Sequence, residues 1–282
     1  MPKNSFVIVN ADGTTTPTEK FDGLTVTFRG SNSTVEIAEG AVFNNCRFTL
    51  GSNARISIGK THHRGLRNVV VNLTGRGEGR TLTIGAGTSI EGCRFSMAGD
   101  GPRVVTIGAD CMMSSGITFR PSDGHAIFDL DTGNVINHAR PIVLGDHVWV
   151  GADVTFLKGG TVPDDTIVGT RSLVSRRFEE PNTAIAGAPA KIVRRRVGWD
   201  RAHVEDYAER SQAPRERVTI EIDPELECDP GDFIDEAARI ANQRAKVTNM
   251  RFVERVRWDD RREKLGDEPF DYLVFEGETL RR

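Results

Sequence analysis

Asp123, His125, Asp129, Asp131 and His138 crowd into one short segment between Phe119 and Leu144. Imidazole is the side chain that takes and returns a proton near neutral pH, so this cluster suits acid–base chemistry. Loops carried by a rigid scaffold are where such groups tend to sit. A solvated excursion whose charges only keep it soluble would look the same, and the spacing alone leaves both readings open. Other reactive groups are absent from the pattern. There is no Gly-x-Ser-x-Gly elbow, and Cys46, Cys93, Cys111 and Cys228 are too few and too scattered for a disulfide framework or a Cys-x-x-Cys metal knuckle. They read as buried thiols acting as small hydrophobes.

The elements that hold this segment announce themselves by period. Leu144, Val150, Phe156, Val162, Val168 and Val174 fall six apart. Glycine follows at Gly145, Gly151 and Gly169, and the position four after each is small or β-branched: Val148, Val154, Gly160, Thr166, Ser172. Neither a helix nor an ordinary strand gives this spacing. Six residues suit one short flat strand plus a turn, and three such sides close a triangular coil. Each first-position side chain then points into the bore and stacks on its equivalent three hexapeptides later, Leu144 on Val162 and then an Ile or Leu near residue 180. Weaker copies open at Ile37, Ile58, Ile84 and Ile107, and Phe43–Phe48 and Ile90–Phe95 look like one rung at two heights. Residues 61–68, 75–80 and 99–103 interrupt the register as excursions or turns. Phe119 and Leu144 are one residue more than four hexapeptides apart, so a loop must leave the coil at 120–141.

This pattern resembles the hexapeptide-repeat acyltransferases, an all-β solenoid family with a left-handed parallel β-helix. The stretch PIVLGDHVWVGADVT at 141–155 is similar to their most recognisable coil, AGAPAKIVR at 186–194 to their closing signature, and SDGHAIFD at 122–129 to the loop of the sugar and capsular-polysaccharide O-acetyltransferase branch. The resemblance covers roughly residues 35–196. It implies a homotrimer, acetyl-CoA as co-substrate and a sites-between-subunits architecture, since a solenoid has flat faces and no internal pocket.

By the same resemblance His125 takes the catalytic histidine's place, with Trp149 following at the family's spacing, four hexapeptides on, to wall the acetyl or acceptor pocket. A sugar hydroxyl is a poor nucleophile at pH 7, so a base must take its proton and hand it to the departing thiolate, with no covalent acyl-enzyme. The second ring nitrogen needs an acceptor. Asp123 is the nearest, Asp129 the next, and a backbone carbonyl would serve too. Trp149 would otherwise be a corner residue packing the solenoid. Ala152 and Thr170 match small positions beside the pantetheine arm, and Ser175 and Arg176 stand for the family's Thr-Lys pair. Lys191 and Arg194 would meet the nucleotide phosphates, although a solvated basic face at the solenoid's end would carry the same residues. The γ-class carbonic anhydrases share the fold and hold zinc on three histidines, but their pairs do not match His62, His63 or His147, so no metal is expected. The leading reading is an O-acetyltransferase of a sugar or polysaccharide hydroxyl. An N-acetyltransferase of an amino sugar or small amine and a non-catalytic scaffold remain alternatives.

Composition changes near residue 197. Of the 282 residues, the first 196 carry 22 basic and 18 acidic side chains and 25 of the 29 glycines, whereas the remainder carry 15 basic and 22 acidic. The chain therefore divides into an N-terminal lead-in (1–34), the acyltransferase β-helix (35–196) and a charged appendage (197–282) of mixed α/β character. In the appendage a helix is expected over 233–246 and strands over 218–222 and 272–275, with a role in covering the last coil or contacting a partner. A net charge of −3 offers no field for nucleic acid. The absence of a long apolar run or a signal-like start argues against membrane insertion or secretion, and a cytoplasmic location is expected.

Overall fold

A computed structural model describes residues 3–75, 78–99, 101–211, 215–222, 247–256 and 271–279. The chain divides into two compact units, Met1–Arg201 and Ala202–Arg282.

The first unit is a left-handed parallel β-helix with three sheet faces. A full coil visits face 1, face 2 and face 3 in turn, as in Ile142–Leu144, Trp149–Val150 and Thr155–Leu157. The hexapeptide positions do what their spacing requires. Leu144, Val150, Phe156, Val162, Val168 and Val174 are all buried, and Leu144 pairs with Val162, Val150 with Val168 and Phe156 with Val174. Each such side chain contributes about 1.5–3 kcal/mol by leaving water. On face 3 the bore is filled by an aromatic ladder, Phe95 on Phe119 at 4.8 Å and Phe119 on Phe156 at 4.6 Å, both nearly parallel. Glycine follows the inward aliphatic because the next coil passes directly over it: a Cβ on Gly145 would lie 2.7 Å from the backbone nitrogen of Asp164, and one on Gly151 2.8 Å from that of Thr170.

Three expectations need correction. The 1–34 segment is not a lead-in but the opening coil, because Ser5–Val9 pairs parallel with Thr34–Ala38 and Leu24–Phe28 with Cys46–Leu50. Residues 61–68 are not wholly an excursion: Leu66–Arg67 is a face 2 strand between Phe43–Asn44 and Ser89–Ile90. The bore residue near 180 is neither Ile nor Leu. Phe178 fills it, buried, with its N–H bonded to Thr161 O, while Arg176 lies 4.9 Å over its ring.

Both solenoid ends are closed by antiparallel pairing, which blunts the open strand edges. Thr15–Pro17 folds back on Ser5–Val9, and Thr183–Gly187 turns into Ala190–Arg195 through a cis Ala188–Pro189 bond. Cys46, Cys93 and Cys111 are buried free thiols. Cys228 lies outside the described residues.

The second unit contains a helix, Val204–Ser211, and an antiparallel sheet ordered Arg215–Ile222, Asp271–Thr279, Val247–Val256. The strands expected at 218–222 and 272–275 fall within two of these. The expected 233–246 helix lies outside the described residues.

Candidate active site

The loop that carries His125 leaves the solenoid at the corner between faces 3 and 1, after Ile117–Arg120, and returns at Ile142–Leu144. Its neck is closed by Arg140 N–H donating to Pro121 O at 3.2 Å. Beyond the neck it is a small hairpin rather than a slack excursion. Phe128 bridges Val135, Ile136 N–H donates to Ile127 O, and Asp129 N–H donates to Asn134 O. Asp129 closes the tip by accepting from the N–H groups of Asp131 and Thr132 and from the Thr132 hydroxyl, and the Thr132 bonds hold its carboxyl below the usual range.

His125 sits exposed on the first arm of this hairpin. Its carbonyl accepts from Asn137 Nδ2 at 2.8 Å, and its ring makes no hydrogen bond to a described residue. The two carboxylates expected to orient that ring are engaged elsewhere. Asp123 Oδ2 accepts from Lys158 Nζ and, at 2.9 Å, from Asn137 Nδ2, and the Lys158 bond, with that of Asn137, lowers its pKa. Asp129 is committed to the hairpin tip. Local sequence proximity favoured Asp123 for the ring. The fold instead offers it a lysine from the neighbouring coil, 35 residues away, and a cation outcompetes a neutral imidazole for a carboxylate.

Trp149 opens the face 2 strand at the corner between faces 1 and 2, so it and His125 emerge from different corners of one protomer. It is 39% exposed, enough to offer a ring to a ligand. His147, at the same corner with φ 51°, turns its ring onto Trp199, and its Nδ1 lies 2.9 Å from Asp165 Oδ1. Among the described residues no group of three or more His, Cys, Asp or Glu is placed to hold a metal.

The residues matched to the cofactor fall at three places. Ala152 and Thr170 lie one coil apart at the corner between faces 2 and 3, where Ala152 O accepts from Arg171 N–H. Lys191 and Arg194 stand exposed on the closing hairpin of face 2. Ser175 and Arg176 lie at the corner between faces 3 and 1, the one from which the His125 loop leaves. Arg176, Lys191 and Arg194 are exposed and form no ion pair with a described carboxylate, and Arg176 stands at a different corner from the other two.

No model of a known protein family matches the chain. Among curated proteins, a polysialic acid O-acetyltransferase from Escherichia coli O1:K1 / APEC is 39% identical over 98 residues, 34% of this chain and 31% of the relative. A polysialic acid O-acetyltransferase from Neisseria meningitidis is 33% identical over 97 residues, 34% of this chain and 45% of the relative. The crystal structure of the polySia-specific acetyltransferase NeuO superposes with a TM-score of 0.56 at 28% identity, over 72% of this chain and 87% of that one. The homologues of this chain are hexapeptide-repeat acetyltransferases. The chain spans less than half the length of the two curated relatives.

Sequence reasoning missed four residues around the candidate site. Lys158 and Asn137 tie the loop to the solenoid, and Trp199 and Arg201 bring the post-solenoid segment back beside Trp149. All four act across the fold rather than within a turn, with separations from 10 residues for Asn137 to Ile127 up to 114 for Arg201 to Gly87. Only the identity of Asn137, a residue type that stitches turns, carried a local signal.

Proposed function

We propose that this protein transfers acetyl from acetyl-CoA to a polysaccharide hydroxyl, with His125 as general base. The observation that carries the reading is a solvent-open imidazole on a loop that is itself tightly bonded to a rigid solenoid. The hydroxyl oxygen attacks the thioester carbon while His125 takes its proton. The tetrahedral intermediate then collapses, the carbon–sulfur bond breaks, and the proton passes to the leaving sulfur. Acetyl-CoA supplies the activated acyl group. Ala152 and Thr170 leave room for its pantetheine arm, Ser175 supplies a hydroxyl, and Arg176, Lys191 and Arg194 meet its phosphates. Trp149 walls the acceptor side.

A homotrimer completes the site in this reading. His125 and Trp149 leave different corners, so a neighbouring copy brings the second group to the first. Four apolar side chains on the loop, Ile127, Phe128, Leu130 and Ile136, stand 53–89% exposed, as expected of a surface that another copy covers. The acceptor reading draws on the relatives, named for polysialic acid, and on face 3. There Arg47 and Arg94 flank Val70 in one outward column, with Arg120 at the strand end where the loop departs. None of the three pairs with a described carboxylate, which suits an acidic glycan.

The test is thiol release from acetyl-CoA with polysialic acid and a panel of neutral and acidic glycans as acceptors. His125→Ala is expected to lower turnover by about 10²–10⁴-fold with the oligomer intact by size-exclusion chromatography. Full activity in that variant removes His125 as base. Equal turnover of amine and hydroxyl acceptors removes the O-specific reading.

A further inference from the structure

We propose that Asn137 and Lys158 are positioning residues that set where His125 stands above the solenoid, an inference that rests on His125 being the base. Asn137 spends both amide hydrogens and one acceptance at its amide oxygen on one short arc of the loop. Its two Nδ2 hydrogens go to His125 O at 2.8 Å and Asp123 Oδ2 at 2.9 Å, and its Oδ1 accepts from Ile127 N–H at 2.8 Å. One amide thus brackets the histidine from both sides and from its own carbonyl. Lys158 ties that knot to the scaffold. It follows the strand Thr155–Leu157 in the next coil, directly beneath the loop's point of departure, and its ammonium donates to Asp123 Oδ2 and, at 3.2 Å, to Asn137 O. With its side chain 18% exposed, the lysine is shielded from water that would weaken the pair.

The consequence is mechanical. The bonds of the knot land on the backbone of the loop's two arms or on Asp123, and none lands on the imidazole. The ring keeps both nitrogens free for the acceptor and for the leaving sulfur, while its Cα is held. A displacement of about 1 Å at a reacting group can cost about 100-fold in rate, so a base on an exposed loop needs such a tether.

The variants are Lys158→Met, Lys158→Arg, Asn137→Ala and Asp123→Asn/Lys158→Met, assayed as full chains with acetyl-CoA and polysialic acid, or the panel acceptor of highest turnover. Lys158→Met and Asn137→Ala are expected to lower kcat by about 10–100-fold with the KM for acetyl-CoA unchanged and the pKa seen in the kcat/KM profile unmoved. Lys158→Arg is expected to recover most of the loss. The double variant should be no slower than Lys158→Met alone, because Lys158→Met already removes the Lys158–Asp123 pair and an asparagine at 123 still accepts from Asn137 Nδ2. A crystal structure of Lys158→Met should show the His125 Cα displaced. Wild-type kcat in both single variants, or an undisplaced His125 in the crystal, overturns the proposal. So does a shifted pKa that accounts for the whole loss, since the lysine would then act through charge. If His125→Ala stays active, the base itself is wrong; if it is inactive while Lys158→Met is fully active, only the positioning role fails.

Discussion

The imidazole of His147 lies flat against the indole of Trp199, centroids 4.2 Å apart and planes 11° from parallel, and the same indole donates its N–H to the carbonyl of His147 at 2.8 Å. Fifty-two residues separate the two. Two residues on, Arg201 donates to the carbonyls of Gly87, Asp110 and Cys111, to Ser89 Oγ and to Asp110 Oδ1, so one guanidinium clamps two successive coils. The segment 197–201 is therefore a strap along the corner between faces 1 and 2, and it places Trp199 6.2 Å from Trp149. Trp199→Ala removes the stack and one hydrogen bond. It should destabilise the solenoid by about 1–3 kcal/mol and make Trp149 more accessible to a collisional fluorescence quencher. An unchanged melting temperature with unchanged quenching in that variant would mean that the strap does not dock in solution.

Gly124 precedes the proposed base at φ +85°, and a Cβ there would meet nothing within 4 Å. Space is free but the backbone angle is not. Gly124→Ala should carry about 1–2 kcal/mol of left-handed strain, and an exposed loop relieves it by moving. The result is expected as a drop in kcat larger than any drop in melting temperature. Gly124→Asn should be milder, because asparagine tolerates this region. Equal rates for wild type and Gly124→Ala would show that the loop conformation does not control the reaction.

How much of this was legible depended on where the period was strict. From Leu144 to Val162 the coil is three exact hexapeptides, and the repeat stands out. Upstream, Ile37, Ile58, Ile84, Ile107 and Leu144 stack in one column at unequal steps, all longer than three hexapeptides, because turns of different length intervene. A column in space does not look like a period when its steps vary. That is why the opening coil read as a lead-in: Ser5–Val9 finds its partner in register only at Thr34–Ala38, well beyond the distance a strict coil would set. Phe178 was missed since it falls two positions short of three hexapeptides after Val162. At the site, His125 and Trp149 were legible through motif resemblance, whereas Lys158, Trp199 and Arg201 act across coils and leave no local pattern.

Asp123 gives the loop a definite response to acid. Hydrogen bonds from Lys158 and Asn137 lower its pKa in the folded chain. The anchor's stability is therefore fully present above the ordinary carboxylate value of about 3.9 and is lost as pH falls through the lowered folded value. Between neutral pH and about pH 5 the anchor is expected to hold. Melting temperatures of wild type and Lys158→Met should differ at neutral pH and converge as the acid limb is crossed. A gap that stays constant down to pH 3 would show that Asp123 is not the lysine's partner in solution.

The buried cysteines report on whether the solenoid opens as one body. Burial raises the thiols of Cys46 and Cys93 and pushes Cys111 up to about 11. At pH 8 a thiol like Cys111 is ionised in about one molecule in a thousand, and the bore also shields it from reagent. Alkylation of these three should therefore require unfolding, site by site in peptide mass spectrometry. They sit in different coils, at the strands Cys46–Leu50 and Cys93–Ser96 and just before Met112–Met113. In a repeat array, coils can open separately when neighbour coupling is weak. Here the aromatic ladder joins Phe95, Phe119 and Phe156 across the coils around the loop, so Cys93 and Cys111 should become reactive at the same denaturant concentration. Cys46, below that ladder, is the site where earlier labelling would appear. Native-state labelling of Cys111 at the rate of a free thiol would mean that the coils supporting His125 open on their own.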